Sequence, residues 1–532
     1  MKLSNLPFLS RLFLITGALI TALLPAAAQN QSRLEFKADF APSEGFVKAP
    51  EKPWRQELSL NGRWQFQPVT TPSGYQRDTG TPPALTAPIA AKWEKTPLKV
   101  PSPWNVNTWG NGRDAGDGTN RPYVSDSLYY PSYPALWDGI EMGWLRRSFT
   151  VPANWGTRRI VLHFEGVAGD AQILVNGRKA GEHFDSFTPF DLDITSLVKH
   201  GSPNELLVGV RKSNLFNRIT PGHAPLPRTY PNGSYMDNLV GIWNDVSLLG
   251  LPEFRITDAF IKPNVDANML EAEITVRNDT KQPQRLRVGG DVKPWVNGAG
   301  KDVLTAPVPK WSLGGTVGSF SVGEVMVRAG GSAKLRLWLR PKQKLKTWSP
   351  SAPNLYGAVF KVFPPPTSST AKPPVFDTHY QRFGWRQFKI QGRDFLLNGQ
   401  KIQLMGDFLH PFGPYIGSRR FVWQFYKMIK DMGGNATRPH GQLHPRLFLD
   451  LADEMGLCVL DEAAIFGSSI NLNLKEDVTW TRFAKHVDDM VKRDRNHPSV
   501  FGWSPGNEMF AIFAQTSGEE RVREVEQLKA LA

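Results

Sequence analysis

The sequence predicts a multidomain chain: a jelly-roll β-sandwich, a smaller immunoglobulin-like β-sandwich, and an incomplete (β/α)8 TIM barrel of about four βα units. Three observations predict it. From Gln56 to about residue 390, short runs of alternating apolar and polar residues recur at hairpin spacing with no helical period, as paired strands require. From about Asp394 the pattern changes to short apolar runs alternating with helical stripes, which calls for parallel strands joined by crossovers. A length of 532 residues suits about three or four domains, and 17 Trp and 31 Phe are ample for their cores.

The chain opens on Lys2 and Arg11, an apolar run Leu12–Leu24, and Pro25-Ala26-Ala27-Ala28. A charged start, a short greasy core and small residues at the cut make residues 1–28 a cleavable secretory signal, which predicts a secreted or periplasmic protein. The run is shorter than the ~20 residues of a spanning helix. No other membrane segment follows, and no Cys follows the cut to carry a lipid, so no membrane anchor is expected. The single Cys458 excludes an internal disulfide and, within the apolar run Leu457–Leu460, reads as a buried, inert thiol. The net charge of +14 raises the question of nucleic acid. No Lys/Arg stripe, helix-turn-helix or zinc pattern accompanies it, so the charge reads as a solvated surface.

Residues 29–253 hold an extended arm to about residue 55 and then the jelly roll. Ile160, Leu162 and Phe164 alternate with Val161, His163 and Glu165, and Ala171–Val175 runs into Asn176-Gly177, a strong hairpin signal. Asn204–Val210 and Gly241–Leu249 add strands, while Pro101 to Gly143 reads as long surface loops. Residues 254–390 form the second sandwich, with strands at Ala272–Val276, Leu335–Leu339 and Ala358–Val362, an exposed Pro-rich loop over 364–374, and a further strand over Tyr380–Ile390.

Residues 391–532 carry the barrel. A strand starting at Ile402–Leu404 exits at Asp407 and His410. A stripe of Phe421, Phe425, Met428, Ile429 and Met432 then stops at Gly433-Gly434. Asn435–Thr437 leads to Arg438 and His440, and Phe448, Leu451, Ala452 and Met455 form a second stripe closed by Gly456. Leu457–Leu460 exits at Asp461-Glu462, and Trp480, Phe483, Ala484, Val487, Met490 and Val491 form a third stripe. Val500–Trp503, bounded by Asn-His-Pro and Pro-Gly, reads as a buried strand that delivers Asn507 and Glu508, with a charged helix from about Ser517. Four strand exits thus bring His410, Arg438 with His440, Glu462, and Asn507 with Glu508 to one end of a parallel sheet, where barrel chemistry sits.

Five stretches stand out: Gly241-Ile-Trp-Asn-Asp-Val246, Trp348–Tyr356, Phe383-Gly-Trp-Arg386, Asn435-Ala-Thr-Arg-Pro-His440, and Arg493–Ser499 continuing through Gly506-Asn507-Glu508. With them the chain resembles glycoside hydrolase family 2, the group of β-galactosidases, β-glucuronidases and β-mannosidases. The first is similar to the family's GIWRDV segment with Asn244 for the usual Arg. The second and third are similar to its W-x-P-x-x-P-x-L-Y and FGFR segments. The fourth is similar to NxxRxSH, one residue shorter, and the last to RDRNHPS…W-S-x-G-N-E. The resemblance implies a retaining exo-β-glycosidase acting on O-linked β-sugars. It places Glu508 at the acid/base position, Asn507 at the contact to the sugar 2-hydroxyl, and Arg438 and His440 at the sugar subsite. His410 joins them as a substrate-binding candidate, Glu462 either contacts substrate or pairs with Arg438, and Asp237 is a candidate to reach the sugar from the sandwich. A glycosidic oxygen leaves readily only when protonated as its bond breaks, and a second, ionised carboxylate roughly 5–5.5 Å away attacks the anomeric carbon.

Two departures qualify the likeness. The family's nucleophile is a Glu after the seventh barrel strand, and no residue here matches it, since Ala532 follows just after the fourth. The expectation is an N-terminal portion with little or no hydrolysis by itself. In the β-galactosidase branch the third strand continues as DEANIETHG, whose later Glu and His help bind magnesium; Phe466 and Ser468 stand there instead, so no metal and no cofactor is expected. The expected partner is a carbohydrate, and a homo-oligomer is left open. A non-catalytic carbohydrate-binding protein is the alternative. An inverting hydrolase using Glu462 and Glu508 is a third, and needs those carboxyls roughly 6.5–9.5 Å apart.

Overall fold

A computed structural model of the chain describes residues 44–76, 79, 81–105, 133–217, 228–233, 239–298, 310–366, 373–409, 417–467 and 472–531. The expected signal 1–28, Asp237, His410 and Ser468 lie outside them. The first β region pairs two antiparallel sheets. One runs Gln56–Ser59, Val246–Leu251, Arg159–Phe164, Phe190–Asp193, and the other Leu98–Val100, Gly62–Val69, Met142–Thr150, Pro203–Arg211, Asp170–Val175, Arg178–Phe184. In Asp170–Val175 the buried residues are Ala171, Ile173 and Val175, every second one. Asn176 (φ 51°) and Gly177 (φ 76°) then supply the two left-handed positions of a tight hairpin turn, and Val175 faces Arg178 across it. Both faces of Arg159–Phe164 are covered. Ile160, Leu162 and Phe164 enter the main core, while Val161 packs with Val47, Leu249 and Leu251. His163 is buried with Nδ1 2.6 Å from Asp191 and Nε2 3.1 Å from Glu165. Burial opposes its charge, but those two carboxylates outweigh burial and hold its pKa up to about 10.

The second β region has a sheet of Phe254–Asn264, Met269–Asn278 and Ser332–Leu339, and a larger one built on Gln284–Asn297, Leu355–Phe363 and Asp377–Phe383. Leu270, Ala272, Ile274 and Val276 alternate into a core with Leu286, Val288, Phe360 and Trp385. The strand expected over Tyr380–Ile390 is two strands. Asp377–Phe383 ends the large sheet, and Phe388–Gln391 starts a separate one with Asp394–Leu397 and Gln400–Ile402. Between them the chain turns to pack on the barrel: a Cβ at Gly384 would stand 2.5 Å from the Pro498 Cβ. Arg55 ties the arm to this region. Its Nε and Nη2 donate to the buried Asp377 carboxylate at 2.9 and 2.6 Å, and Nη2 also donates to the Ile256 carbonyl at 2.6 Å.

The last region is a four-stranded parallel sheet in the order Gly406–Leu409, Ala436–Pro439, Cys458–Glu462, Val500–Ser504. The helices Arg419–Asp431, Arg446–Met455 and Asp477–Asp494 lie between its strands in sequence, and Phe510–Gln515 and Gly518–Leu531 follow it. The first strand starts at Gly406, later than Ile402, because Asn398-Gly399 (φ 54° and 81°) turns Gln400–Ile402 back on Asp394–Leu397. Asp407 therefore lies inside the strand. The first helix, capped by Ser418, buries Val422, Tyr426 and Ile429. Met428 and Met432, expected in its buried stripe, are 52% and 73% exposed. The second helix ends at left-handed Gly456 (φ 74°), where a Cβ would meet the Pro350 carbonyl at 2.4 Å. Val500–Ser504 is less buried than its sequence predicts. Val500 is inside, but Trp503 is exposed, because this strand has a neighbour on one side only among the described residues. Cys458 is buried and unpaired, and burial lifts its thiol to about 11. No helix among the described residues is long and apolar enough to cross a membrane.

Candidate active site

Parallel strands end together, so their last residues share a rim. Arg438 lies in Ala436–Pro439, Glu462 closes Cys458–Glu462, and Asn507 and Glu508 follow Ser504. Glu462 is fully buried and accounts for its charge locally: Oε2 accepts from Arg438 Nη1 and Ser504 Oγ, both at 2.8 Å, and Oε1 accepts from the Gly441 N–H at 2.5 Å. Of the two readings of Glu462, the structure displays the ion pair with Arg438. The same Arg438 Nη1 donates to Asn507 Oδ1 at 3.2 Å. That bond fixes which way the Asn507 amide points, and its Nδ2 is left without a hydrogen-bond partner.

His440, one residue past its strand, packs near the Phe466 ring at 6.0 Å between centroids. Burial, then the Arg438 cation, lower its pKa, while the charges of Glu462 and Glu508 act the other way. The imidazole is therefore neutral near pH 7, and Glu508 lies close enough for its field to be felt there. Glu508 itself is exposed and has a left-handed backbone (φ 46°), its carbonyl accepting from the Phe510 N–H at 2.5 Å. The structure thus brings Arg438, Glu462 and Asn507 into one hydrogen-bonded group with His440 and Glu508 beside it. His410 and Asp237 fall outside the described residues. Ser504 and the Gly441 amide were not foreseen as partners, since nothing in the sequence marks which neighbours a buried carboxylate will recruit.

The Arg493–Ser499 run does structural work beneath the rim. Arg493 binds Asp494 through Nε and Nη2, each at 2.7 Å, and Arg495 reaches Asp258 of the second β region at 2.6 Å. Asn496 accepts from the Ile261 N–H at 2.9 Å and donates to the Ala259 carbonyl at 2.8 Å. His497 Nδ1 lies 2.7 Å from Asp453, and Arg386 donates to the Pro498 carbonyl at 3.0 Å and also to that of Val500. The motif therefore docks the second β region onto the strand that leads to Glu508. Asp461, next to Glu462 in the strand, faces the other side of the sheet, beside Asp494 and Arg493. Burial, then the Asp494 carboxylate, raise its pKa well above the ordinary range.

Among the described residues one group, Asp450, Asp453 and His497, has ligand atoms close enough to share a cation. Arg382 already fills that role, its Nη2 2.6 Å from Asp450 and 3.1 Å from Asp453.

Residues 58–252 match the sugar binding domain of glycosyl hydrolases family 2, and residues 388–528 match the family's TIM barrel domain. A β-galactosidase of Alteromonas mediterranea is 27% identical over 471 residues, 85% of this chain and 40% of that protein. One from Yersinia pestis bv. Antiqua is 29% identical over 480 residues, with 86% and 40% coverage. The chain thus spans about 40% of the length of these curated relatives. Among solved structures, Bacteroides uniformis β-glucuronidase 2 covalently bound to cyclophellitol-6-carboxylate aziridine superposes with a TM-score of 0.64 at 21% identity, covering 90% of this chain and 50% of that one. A putative β-galactosidase from Bacteroides fragilis gives 0.64 at 19% identity, with 90% and 62% coverage. These structures share the fold. Both matched domains are those of one family, in register with the sandwich and the strand ends described above, and the chain belongs to glycosyl hydrolase family 2.

Proposed function

We propose that this chain carries the acid/base side of a retaining exo-β-glycosidase site, in a protein exported to the periplasm or beyond. Glu508 protonates the glycosidic oxygen as the bond to the anomeric carbon breaks, and later takes a proton from the attacking water. Asn507 donates through Nδ2 to a sugar hydroxyl, and Arg438 and neutral His440 shape the subsite, with His410 and Asp237 as further candidate contacts. The observation that carries this reading is the Arg438 guanidinium shared between Glu462 and Asn507, which leaves the amide's donor unpaired beside Glu508. Bacteroides uniformis β-glucuronidase 2, a structural neighbour, is described as covalently bound to its aziridine ligand, as a nucleophilic mechanism would produce.

The reading also holds that the chain alone turns over little or no glycoside. A retaining mechanism needs a second free carboxylate. Glu462 is buried and held by three hydrogen bonds, which also disfavours the inverting alternative. Asp407 lies, by strand register, level with Val459, three residues below Glu462. Two measurements on the purified chain test this. Calorimetric titration with galactose-, glucuronate- and mannose-shaped iminosugars should give binding to one of them that Asn507→Ala weakens about tenfold. A nitrophenyl-glycoside assay should give no turnover. Absence of binding to all three would overturn the proposal in favour of a protein that does not use this rim, and turnover abolished by Glu508→Gln would overturn the inactivity.

A further inference from the structure

The Asn507–Glu508 turn lies beyond the end of its strand, where the ladder to Cys458–Glu462 has finished. A glutamate at φ 46° is sterically disfavoured and persists only where its surroundings impose it. The imposing bonds come from the segment after Glu462. The Asn507 N–H donates to the Ile465 carbonyl at 2.8 Å, and the Gly467 N–H donates to the Asn507 carbonyl at 3.0 Å. The fit is close: a Cβ on Gly467 would stand 2.8 Å from the Glu508 carbonyl oxygen, and one on Gly506 3.0 Å from that of Ile465. Residues 465–467 are themselves outside any strand, so they too require a partner.

That partner comes from the other end of the chain. Asn232, in a loop of the first β region, is buried and spends both ends of its amide on one barrel residue. Its Oδ1 accepts from the Phe466 N–H at 3.0 Å, and its Nδ2 donates to the Phe466 carbonyl at 3.0 Å. The next residue, Gly233, donates its N–H to the Ala464 carbonyl at 2.9 Å. An amide bonded in this way imitates the edge of a neighbouring strand. The segment Ala464–Gly467 is therefore held between Asn232-Gly233 on one side and Asn507 on the other.

We propose that Asn232 is a positioning residue for Glu508: its amide clamps Phe466, and the clamped segment fixes the Asn507–Glu508 turn at the rim. The consequence for catalysis rests on the reading of Glu508 as the acid/base, whereas the mechanical link does not. The sandwich thereby acts as part of the acid's mounting, in addition to any sugar contact of its own.

Hydrogen exchange followed by mass spectrometry on the full chain tests the link, with the galactose-, glucuronate- and mannose-shaped iminosugars titrated in parallel. In Asn232→Ala, amides in peptides covering 464–467 and 505–510 should exchange about tenfold faster. The strand Val246–Leu251 and the Asn473 amide, which is bonded to the Arg228 carbonyl at 2.8 Å, should keep wild-type rates. Asn232→Asp keeps the acceptor for the Phe466 N–H but, when ionised, sets a carboxylate oxygen against the Phe466 carbonyl, so it should recover part of the protection only at about pH 4 and below, where the carboxyl is protonated and can donate. Iminosugar affinity should fall by a similar factor in Asn232→Ala and partly return in Asn232→Asp at the same low pH. Unchanged exchange at 505–510 would overturn the proposal, as would acceleration spread equally to Asn473, which would mean that Asn232 merely docks two domains. If Asn232→Ala fails to fold, Asn232→Asp read on the same peptides decides. If the wild-type chain binds no iminosugar while 505–510 responds to Asn232→Ala, the acid/base reading falls and the positioning link stands.

Discussion

The first β region and the parallel sheet solve the same problem to different degrees. The two antiparallel sheets close over a shared core in which Trp64, Phe66, Trp104 and Trp137 are all but inaccessible. The parallel sheet has an unpaired strand at each end among the described residues, and Trp503, Phe510 and Phe513 near one of them are 37%, 53% and 60% exposed. The two regions also differ in the reach of their strand pairing. A hairpin strand finds its partner a few residues away, whereas a parallel strand waits for a crossover of a dozen residues or more. Both antiparallel sheets also have an edge strand at each end among the described residues, and what sets the parallel sheet apart from them is the aromatic side chains exposed beside its last strand.

That contrast can be broken in four ways. The largest effect should come at the junction of the arm with the second β region. Arg55→Ala leaves the buried Asp377 carboxylate without its guanidinium and should cost about 3–5 kcal/mol in urea unfolding; a loss below about 1 kcal/mol would show that the junction is not what holds the sandwiches together. Next is His163. Its folded pKa of about 10 lies above the unfolded value near 6.5, so its contribution is fully present below pH 6.5 and is lost as pH rises through about 10. His163→Gln should cost about 2 kcal/mol at pH 6 and flatten that decline, as thermal melts across pH would record. Third, the open edge should make the chain self-associate in sedimentation runs, and Trp503→Lys should move the midpoint about tenfold higher in concentration; a strictly monomeric wild type would mean the edge is covered. Smallest is the sandwich turn. Gly177→Ala meets no atoms within 4 Å, so only its left-handed backbone resists, at about 1 kcal/mol.

How much of this was legible depends on where the determining contacts lie. The strand Asp170–Val175 and its turn could be read directly, because alternation and Asn-Gly act over adjacent residues. So could the helix ending at Gly456. In the first barrel helix packing turns the buried face part of the way round: of the expected stripe Ile429 is buried and Phe421 and Phe425 lie against the core, Met428 and Met432 are exposed, and Val422 and Tyr426 are buried in addition. That Arg438, Asn507 and Glu508 would lie at strand ends on one rim was legible from strand-end position; what they do there is the proposal above. The three bonds that close Glu462 were not, nor was Asn232, whose role exists only once residues more than two hundred positions apart meet. The Arg493–Ser499 run was legible as a signature, but its work in docking the second β region was not.

One consequence of the Glu508 backbone concerns what the chain gives up. Glycine tolerates that dihedral at no steric cost, so Glu508→Gly should melt slightly higher, by a fraction of a kcal/mol after glycine's own entropic cost, while abolishing any proton transfer. A polypeptide shaped for durability alone would have no reason to seat a carboxylate on a reluctant peptide unit; this one tolerates the discomfort at the residue proposed above as the acid/base.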